Sequence, residues 1–343
     1  MRSAFLVSFL SFGLLSVVLL SACSSEPEII KLSGSAQGTT WHISYWDNQN
    51  HNKEQIHAAL DAELARIDTI LSNYRDDSII SQFNNNQDTQ GVKANEELIY
   101  LVEEARKVHS DSQGCYDLTI QPLFKLWGFS DKSLHIPSPA EISEVMYSVG
   151  MEKIQTHENY IQKQLGKVHI DVSSIGQGYS VAKLAQLLDQ KNIQNYLVEI
   201  GGELQTRGQK PNLKPWKIAI ERPLPEATGF QKIITIATPN PTAIMTSGTY
   251  RHYYDDAGRR YSHILDARTG SPVTHSTVSV TVIHESPTVA DAWSTALLCL
   301  GTEEGLKIAD TNNLSVLFID QNKLEIEETS SDLFRNMKGI TVE

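Results

Sequence analysis

Long apolar runs are almost absent from this chain of 343 residues, and cysteine is scarcer still, at three. Beyond Leu20 no stretch approaches the roughly 20 apolar residues that a bilayer-spanning helix requires, which argues against a polytopic membrane protein. Positive charge is also short. Lys and Arg number 29 against 41 Asp and Glu, a formal net charge of −12. Such a surface repels phosphate backbones, so no nucleic acid is expected as a partner. No internal repeat, heptad or low-complexity tract occurs, and both the Walker pattern and G-x-G-x-x-G are missing.

What is present begins with a signal. Arg2 supplies positive charge, Ala4 to Leu20 is almost wholly apolar, and the small residues Ser21 and Ala22 lead into Cys23. The sequence Leu20-Ser21-Ala22-Cys23 resembles a bacterial lipobox. That resemblance implies removal of residues 1–22 as a lipoprotein signal peptide and acylation of Cys23 by chains such as palmitate. As a permanent membrane helix the segment is slightly short. Ser24 stands where an Asp would resemble an inner-membrane retention signal, which favours the outer membrane. The expected organisation is a lipidated N-terminus and polar linker over residues 23–35 and one folded domain over 36–343, facing the periplasm on a membrane tether. That compartment permits a disulfide between the two remaining cysteines. Cys299, however, lies in the apolar run Ala296 to Leu300 and reads as a small core residue, so no bridge to Cys115 is expected.

Residues 39–46 alternate like a strand, and residues 53–71 carry Ile56, Leu60, Leu64, Ile67 and Leu71 at helical spacing. Residues 72–78 form a polar loop, and a second helix is expected over about 95–110. Val168 to Asp171 reads as a strand, followed by a glycine-bearing segment that opens a helix over about 179–190. Further strands are expected at 196–200, 216–221, 232–237 and 278–284, and a helix at 291–300. Strands outnumber helices and several are joined by turns, which predicts an α+β fold with largely antiparallel sheets and packed helices.

Several local patterns carry chemistry, each with a plain alternative. Asp171 followed by Ser173, Gly176 and Gly178 at a helix start suits a phosphate, because free N–H groups and the helix dipole favour anions. It could equally be an ordinary turn in which Asp171 bonds local amides. Gly201-Gly202 either forms a tight turn or lets a ligand approach the backbone. Asp291 and Thr295 lie four apart and share one helix face, where their oxygens could hold a hard cation. Alternatively, Asp291 complements the dipole and Thr295 bonds back to a carbonyl. His263 is a candidate base or a structural histidine, and residues 246–250 compose a generic loop.

Taken together these segments are more specific. Gly114-Cys115-Tyr116-Asp117-Leu118-Thr119, Leu126-Trp127-Gly128-Phe129, Asp171-Val172-Ser173-Ser174-Ile175-Gly176-Gln177-Gly178-Tyr179, Glu199-Ile200-Gly201-Gly202-Glu203, Thr246-Ser247-Gly248, Ser262-His263-Ile264-Leu265-Asp266-Ala267-Arg268-Thr269-Gly270 and Ala290-Asp291-Ala292-Trp293-Ser294-Thr295 follow one another in the order and spacing of the ApbE family. Members resembling this pattern are FAD:protein FMN transferases, and the resemblance covers about Gly34 to the C-terminus.

The resemblance implies that FAD is the substrate, that Mg²⁺ sits at its pyrophosphate, and that the FMN half moves to a threonine hydroxyl with release of AMP. The implied acceptors are flavin-accepting subunits of membrane redox complexes, of the sodium-pumping NADH:quinone reductase or Rnf type. Asp291, Thr295 and the Gly176 carbonyl match the family's metal ligands, and His263 matches its proposed base. Tyr74, Asp117, Asp171, Gly176, Gly178, Gly201, Gly202, Thr246, Ser247, Gly248 and His263 are the expected dinucleotide contacts. Gln177 departs from the Ala-Lys-Gly of many members, so no cationic phosphate contact is carried over to it. An FAD pyrophosphatase, or a periplasmic flavin-binding lipoprotein without turnover, remains compatible with the same motifs.

Overall fold

The computed structural model describes residues 27–49, 51–131, 133–223, 229–250, 253–256, 259–322 and 325–343. Cys23 and the apolar segment before it lie outside them. Among the described residues no helix is long and apolar enough to cross a membrane.

An eight-stranded sheet organises the chain, running in spatial order through Ile30–Ala36, Thr39–Trp46, Asn195–Ile200, Glu203–Arg207, Thr242–Gly248, Thr277–His284, Ser315–Asn322 and Glu325–Ser330. Every neighbouring pair in it is antiparallel. The sheet is covered on both faces, as its side-chain alternation requires. Ala243 and Met245 join the main core with Val280 and Val282, whereas Ile244 between them joins a second core with Trp216, Ile218, Ile234 and Ile236. The second core is closed by a three-stranded sheet of Trp216–Glu221, Phe230–Ile236 and Ile340–Val342.

The main core is closed by four helices, Lys53–Leu71, Glu96–Asp111, Ser173–Gln190 and Pro287–Thr311. Lys53–Leu71 buries Ile56, Leu60, Leu64 and Ile67 on one stripe, and Asn52 caps it by accepting from the Gln55 N–H at 2.8 Å. The α+β architecture with antiparallel sheets is as expected.

Local expectations differ in five places. First, Val168 to Asp171 is not a strand. Its backbone bonds to side chains and a remote loop instead of a neighbouring strand: Ile170 N–H donates to Asn84 Oδ1 at 2.8 Å, Asn84 Nδ2 donates to Ile170 O at 2.9 Å, and Asp171 N–H donates to Leu118 O at 2.7 Å. Second, the following helix starts at Ser173, so Gly176 and Gly178 lie inside its first two turns and not in a loop. Third, Thr246, Ser247 and Gly248 end a strand. Fourth, the first element among the described residues is the strand Ile30–Ala36, which falls, but for Ala36, in the stretch read as linker.

The fifth difference concerns cysteine. Cys115 and Cys299 form a disulfide, with Cα atoms 6.0 Å apart, within ordinary bridging distance. The apolar run around Cys299 hid this, because its sulfur leaves that run and crosses to a loop 184 residues away in sequence.

Candidate active site

The helix Pro287–Thr311 supplies the site's rigid wall. Ser286 caps it, accepting from the Val289 N–H, and Pro287 occupies its first turn, where a missing N–H costs nothing. Asp291, Thr295 and Cys299 then recur every fourth residue and share one face. The facing helix Ser173–Gln190 approaches so closely that a Cβ at Gly178 would stand 2.4 Å from the Pro287 carbonyl and 2.5 Å from the Asp291 Cβ. Glycine is required there by packing, and its N–H donates to Asp291 Oδ2 at 2.7 Å.

Asp291 is 5% exposed, and burial pushes its pKa up to about 7, with the Gly178 N–H pulling the other way. Hydroxyls cluster one helical turn further on. Ser247 Oγ lies 3.1 Å from Thr295 Oγ1 and 2.7 Å from Ser294 Oγ, and Ser294 Oγ donates to the Asp291 carbonyl at 2.9 Å. The donor set is therefore all oxygen: one carboxylate, neighbouring hydroxyls, and the Gly176 carbonyl two residues before Gly178, which accepts from Ser180 Oγ at 2.9 Å. That chemistry fits a hard cation such as Mg²⁺, which takes few protein ligands and keeps oxygen partners from substrate and water. A carboxyl held near neutrality by burial is also one that a cation would return to its charged form.

Beside this pair opens a narrow cleft of about 40 Å³, whose walls include Asp117, Asp171, His263 and Thr295. His263 follows the strand Arg259–Ser262 and is half-buried. Its segment is fixed by a small satellite core in which Tyr261 and Leu265 pack with Trp127, whose Nε1 donates to the Gly270 carbonyl at 2.9 Å. Asp266, three residues beyond His263, accepts from Arg268 Nε at 3.0 Å, from Arg268 Nη2 at 2.8 Å and from the Arg268 N–H at 2.8 Å. The Arg268 guanidinium thus engages both carboxylate oxygens of Asp266.

The other expected contacts divide. Asp171 lines the cleft, yet its Oδ1 accepts from the Ser173 N–H at 2.8 Å, the local turn reading. Asp117 lines it too, but both its oxygens are engaged by protein. Oδ1 accepts from the Thr119 N–H and hydroxyl at 2.7 and 2.5 Å, and Oδ2 accepts from the Met151 N–H at 3.0 Å. Burial pushes its carboxyl upward. Asp117 thus serves first as the anchor of its loop.

Gly201 and Gly202 form the turn between two paired strands at φ +58° and +101°, and Gln177 Nε2 donates to the adjacent Ile200 carbonyl at 2.5 Å. Gln177 ties this turn to the helix Ser173–Gln190, a contact with no need of charge. Thr246 is held by Glu203, which accepts its N–H at 3.1 Å. Tyr74 is 99% exposed and is not among the residues lining the cleft.

Sequence reasoning missed three participants. Tyr116 packs into the cleft and its hydroxyl accepts from Ser174 Oγ at 3.1 Å. Ser294 bridges Ser247 to the helix, and its signal was a polar residue beside Thr295 in an otherwise apolar run. The Cys115–Cys299 bridge forms part of the wall. Among the described residues, Cys115, Cys299 and Asp266 are the one group of three metal-ligating types close together. With the two sulfurs bonded to each other, neither is available as a thiolate ligand.

Residues 37–318 match the model of the ApbE family. The chain belongs to the ApbE family. Among curated relatives it is 34% identical to the FAD:protein FMN transferase of Haemophilus influenzae over 95% of this chain and 97% of that one. It is also 34% identical to that of Vibrio cholerae, over 94% and 97%. Among solved structures, the flavin transferase ApbE of Vibrio cholerae superposes with a TM-score of 0.83 at 33% identity, covering 91% of this chain and all of that one. The apo flavinyl transferase ApbE of Pseudomonas stutzeri gives 0.82 at 32% identity, covering 92% and 98%.

Proposed function

We propose that this ApbE-family enzyme transfers the FMN moiety of FAD to a threonine hydroxyl of a target flavoprotein subunit, releasing AMP, with Mg²⁺ held by Asp291, Thr295 and the Gly176 carbonyl. The observation that supports the reading is one cleft with an oxygen-bearing helix face and an imidazole on its walls. Thr295 and His263 both line that cleft, and Asp291 stands one helical turn before Thr295. The family match and the names of the relatives supply the reaction.

The protein's own contributions are positional and electrostatic. Ser247 fixes the Thr295 hydroxyl, the Gly178 N–H orients the Asp291 carboxyl, and His263 accepts the proton of the attacking threonine. A Mg²⁺ bound there would neutralise pyrophosphate charge and ease departure of AMP. The acceptors are of the sodium-pumping NADH:quinone reductase or Rnf type, met at the periplasmic face of a membrane.

Incubation with FAD, Mg²⁺ and a threonine-bearing acceptor domain tests the reading by the acceptor's mass. A gain of one FMN supports transfer. Free FMN and AMP with an unmodified acceptor indicate hydrolysis instead, and unchanged FAD indicates binding alone.

The lipid tether is tested separately. Cys23→Ser is expected to yield an unacylated protein that leaves the membrane fraction and keeps its transfer rate, since every cleft residue lies beyond Ala36. Radiolabelled palmitate incorporation and fractionation check it. Acylation that persists in the variant overturns the lipobox reading.

A further inference from the structure

We propose that the Cys115–Cys299 bridge is a redox modification site coupled to the dinucleotide site, opened by a small dithiol and closed again by the disulfide form of that reagent, each reaching it through the cleft. The proposal rests on the reading of that cleft as the FAD site. Both cysteines belong to the cleft wall, beside His263 and Thr295. They are nearly buried, at 1% and 4% exposure, and the surface they keep borders the cleft. A thiolate must meet a sulfur directly to exchange with it. The cleft is therefore the approach, and a bound dinucleotide would cover it.

The bridge also joins the parts that shape the cleft. Cys299 lies one turn beyond Thr295 on the same helix face, two residues before the backbone leaves helical geometry at Gly301, φ +75°. Cys115 lies two residues before Asp117, on a loop turned by Gly114 at φ +84°. The Cys115 carbonyl accepts from the Ala267 N–H at 3.3 Å, so the segment bearing His263 rests on the same loop. Cleaving the bridge removes the covalent tie between loop and helix and leaves the Asp117 bonds to Thr119 and Met151 in place. The loop then loosens without unfolding, and the loss falls on the cleft.

The chemistry balances with one dithiol. Its first thiolate attacks one cysteine sulfur, the protein S–S bond breaks, a mixed disulfide forms and the departing cysteine thiolate takes up a proton. The second thiol of the reagent displaces the other cysteine, which is protonated in turn. Two electrons and two protons have moved, and the reagent leaves as a disulfide. Linkage makes the coupling reciprocal: if reduction weakens FAD binding, FAD stabilises the oxidised form by the same factor.

The test uses the full chain, isolated without reductant, with dithiothreitol as the dithiol. Free thiols are counted by maleimide trapping and mass measurement, and FAD affinity is measured by flavin fluorescence. Saturating FAD is expected to slow reduction by about fivefold or more, and the reduced protein is expected to bind FAD about fivefold or more weakly. The double variant Cys115→Ser/Cys299→Ser should show the weakened affinity and no response to dithiothreitol. If that variant does not fold, chemical reduction of the native chain still decides. Equal FAD affinity in oxidised and reduced protein overturns the coupling. A reduction rate that bound FAD leaves unchanged overturns the cleft route. An oxidised protein that binds no FAD overturns the functional reading itself.

Discussion

Asp291→Asn is expected to remove nearly all FMN transfer while making the metal-free fold more stable at alkaline pH. Both effects come from one carboxyl. Asn keeps the shape and an oxygen for the Gly178 N–H, 2.7 Å away in the native protein, but cannot carry charge to a cation. Losing a charge-stabilising group at the reacting phosphates costs about 10²-fold or more in rate. The stability change follows from the carboxyl's displacement from 3.8 to about 7 by burial. Between those values the folded state holds the proton and the unfolded state does not. The stability conferred by the neutral form is fully present below the unfolded value and is lost as pH rises through about 7. At about 1.4 kcal/mol per unit, the loss amounts to roughly 4 kcal/mol.

Urea unfolding in a chelator at pH 5 and pH 8.5 captures the part that falls between pH 5 and about 7, roughly 3 kcal/mol. The native chain should lose more stability between the two than the Asn variant, and added Mg²⁺ should restore the native chain selectively. Identical pH dependence in both proteins would sink the account of Asp291 as a buried carboxyl awaiting a cation.

Parts of this fold were legible because periodicity and burial coincide. The helix Lys53–Leu71 and the strand Trp216–Glu221 match their sequence-based limits at both ends, since each buries one continuous stripe or alternate face. Val168 to Asp171 misleads for the opposite reason. Its strand-like alternation is real, yet its backbone partners are Asn84 and Leu118, which no local pattern announces. Gly176 and Gly178 mislead because glycine usually marks a loop, whereas Gly178 is there to let a second helix approach. The ordered motifs identified the candidate site through family resemblance. Spacing alone left Asp291 and Thr295 open to a capping role. The engagement of Asp117 with Thr119 and Met151 depends on three-dimensional placement, and so does the bridge from Cys115 to Cys299.

His263→Asn is expected to lower transfer by about two orders of magnitude or more, with folding, FAD affinity and Mg²⁺ binding largely retained. The change removes a proton acceptor and keeps a polar side chain of modest size on the same cleft wall. A purely structural histidine would show a different pattern: lower stability, weaker FAD binding and an unaltered rate per bound complex. Single-turnover transfer at saturating FAD, measured beside thermal unfolding, separates the two. The pH profile adds a second readout, because a native enzyme that uses this base is expected to show an acid limb that the variant lacks. Full transfer at neutral pH by a folded Asn variant would move the base elsewhere. Asp266 is then a poor substitute, because its carboxylate already accepts from the Arg268 side chain at 2.8 Å and the Arg268 backbone at 2.8 Å. Freeing it would require breaking that ion pair first, so Asp266→Asn should cost stability of the 266–270 turn before it costs rate.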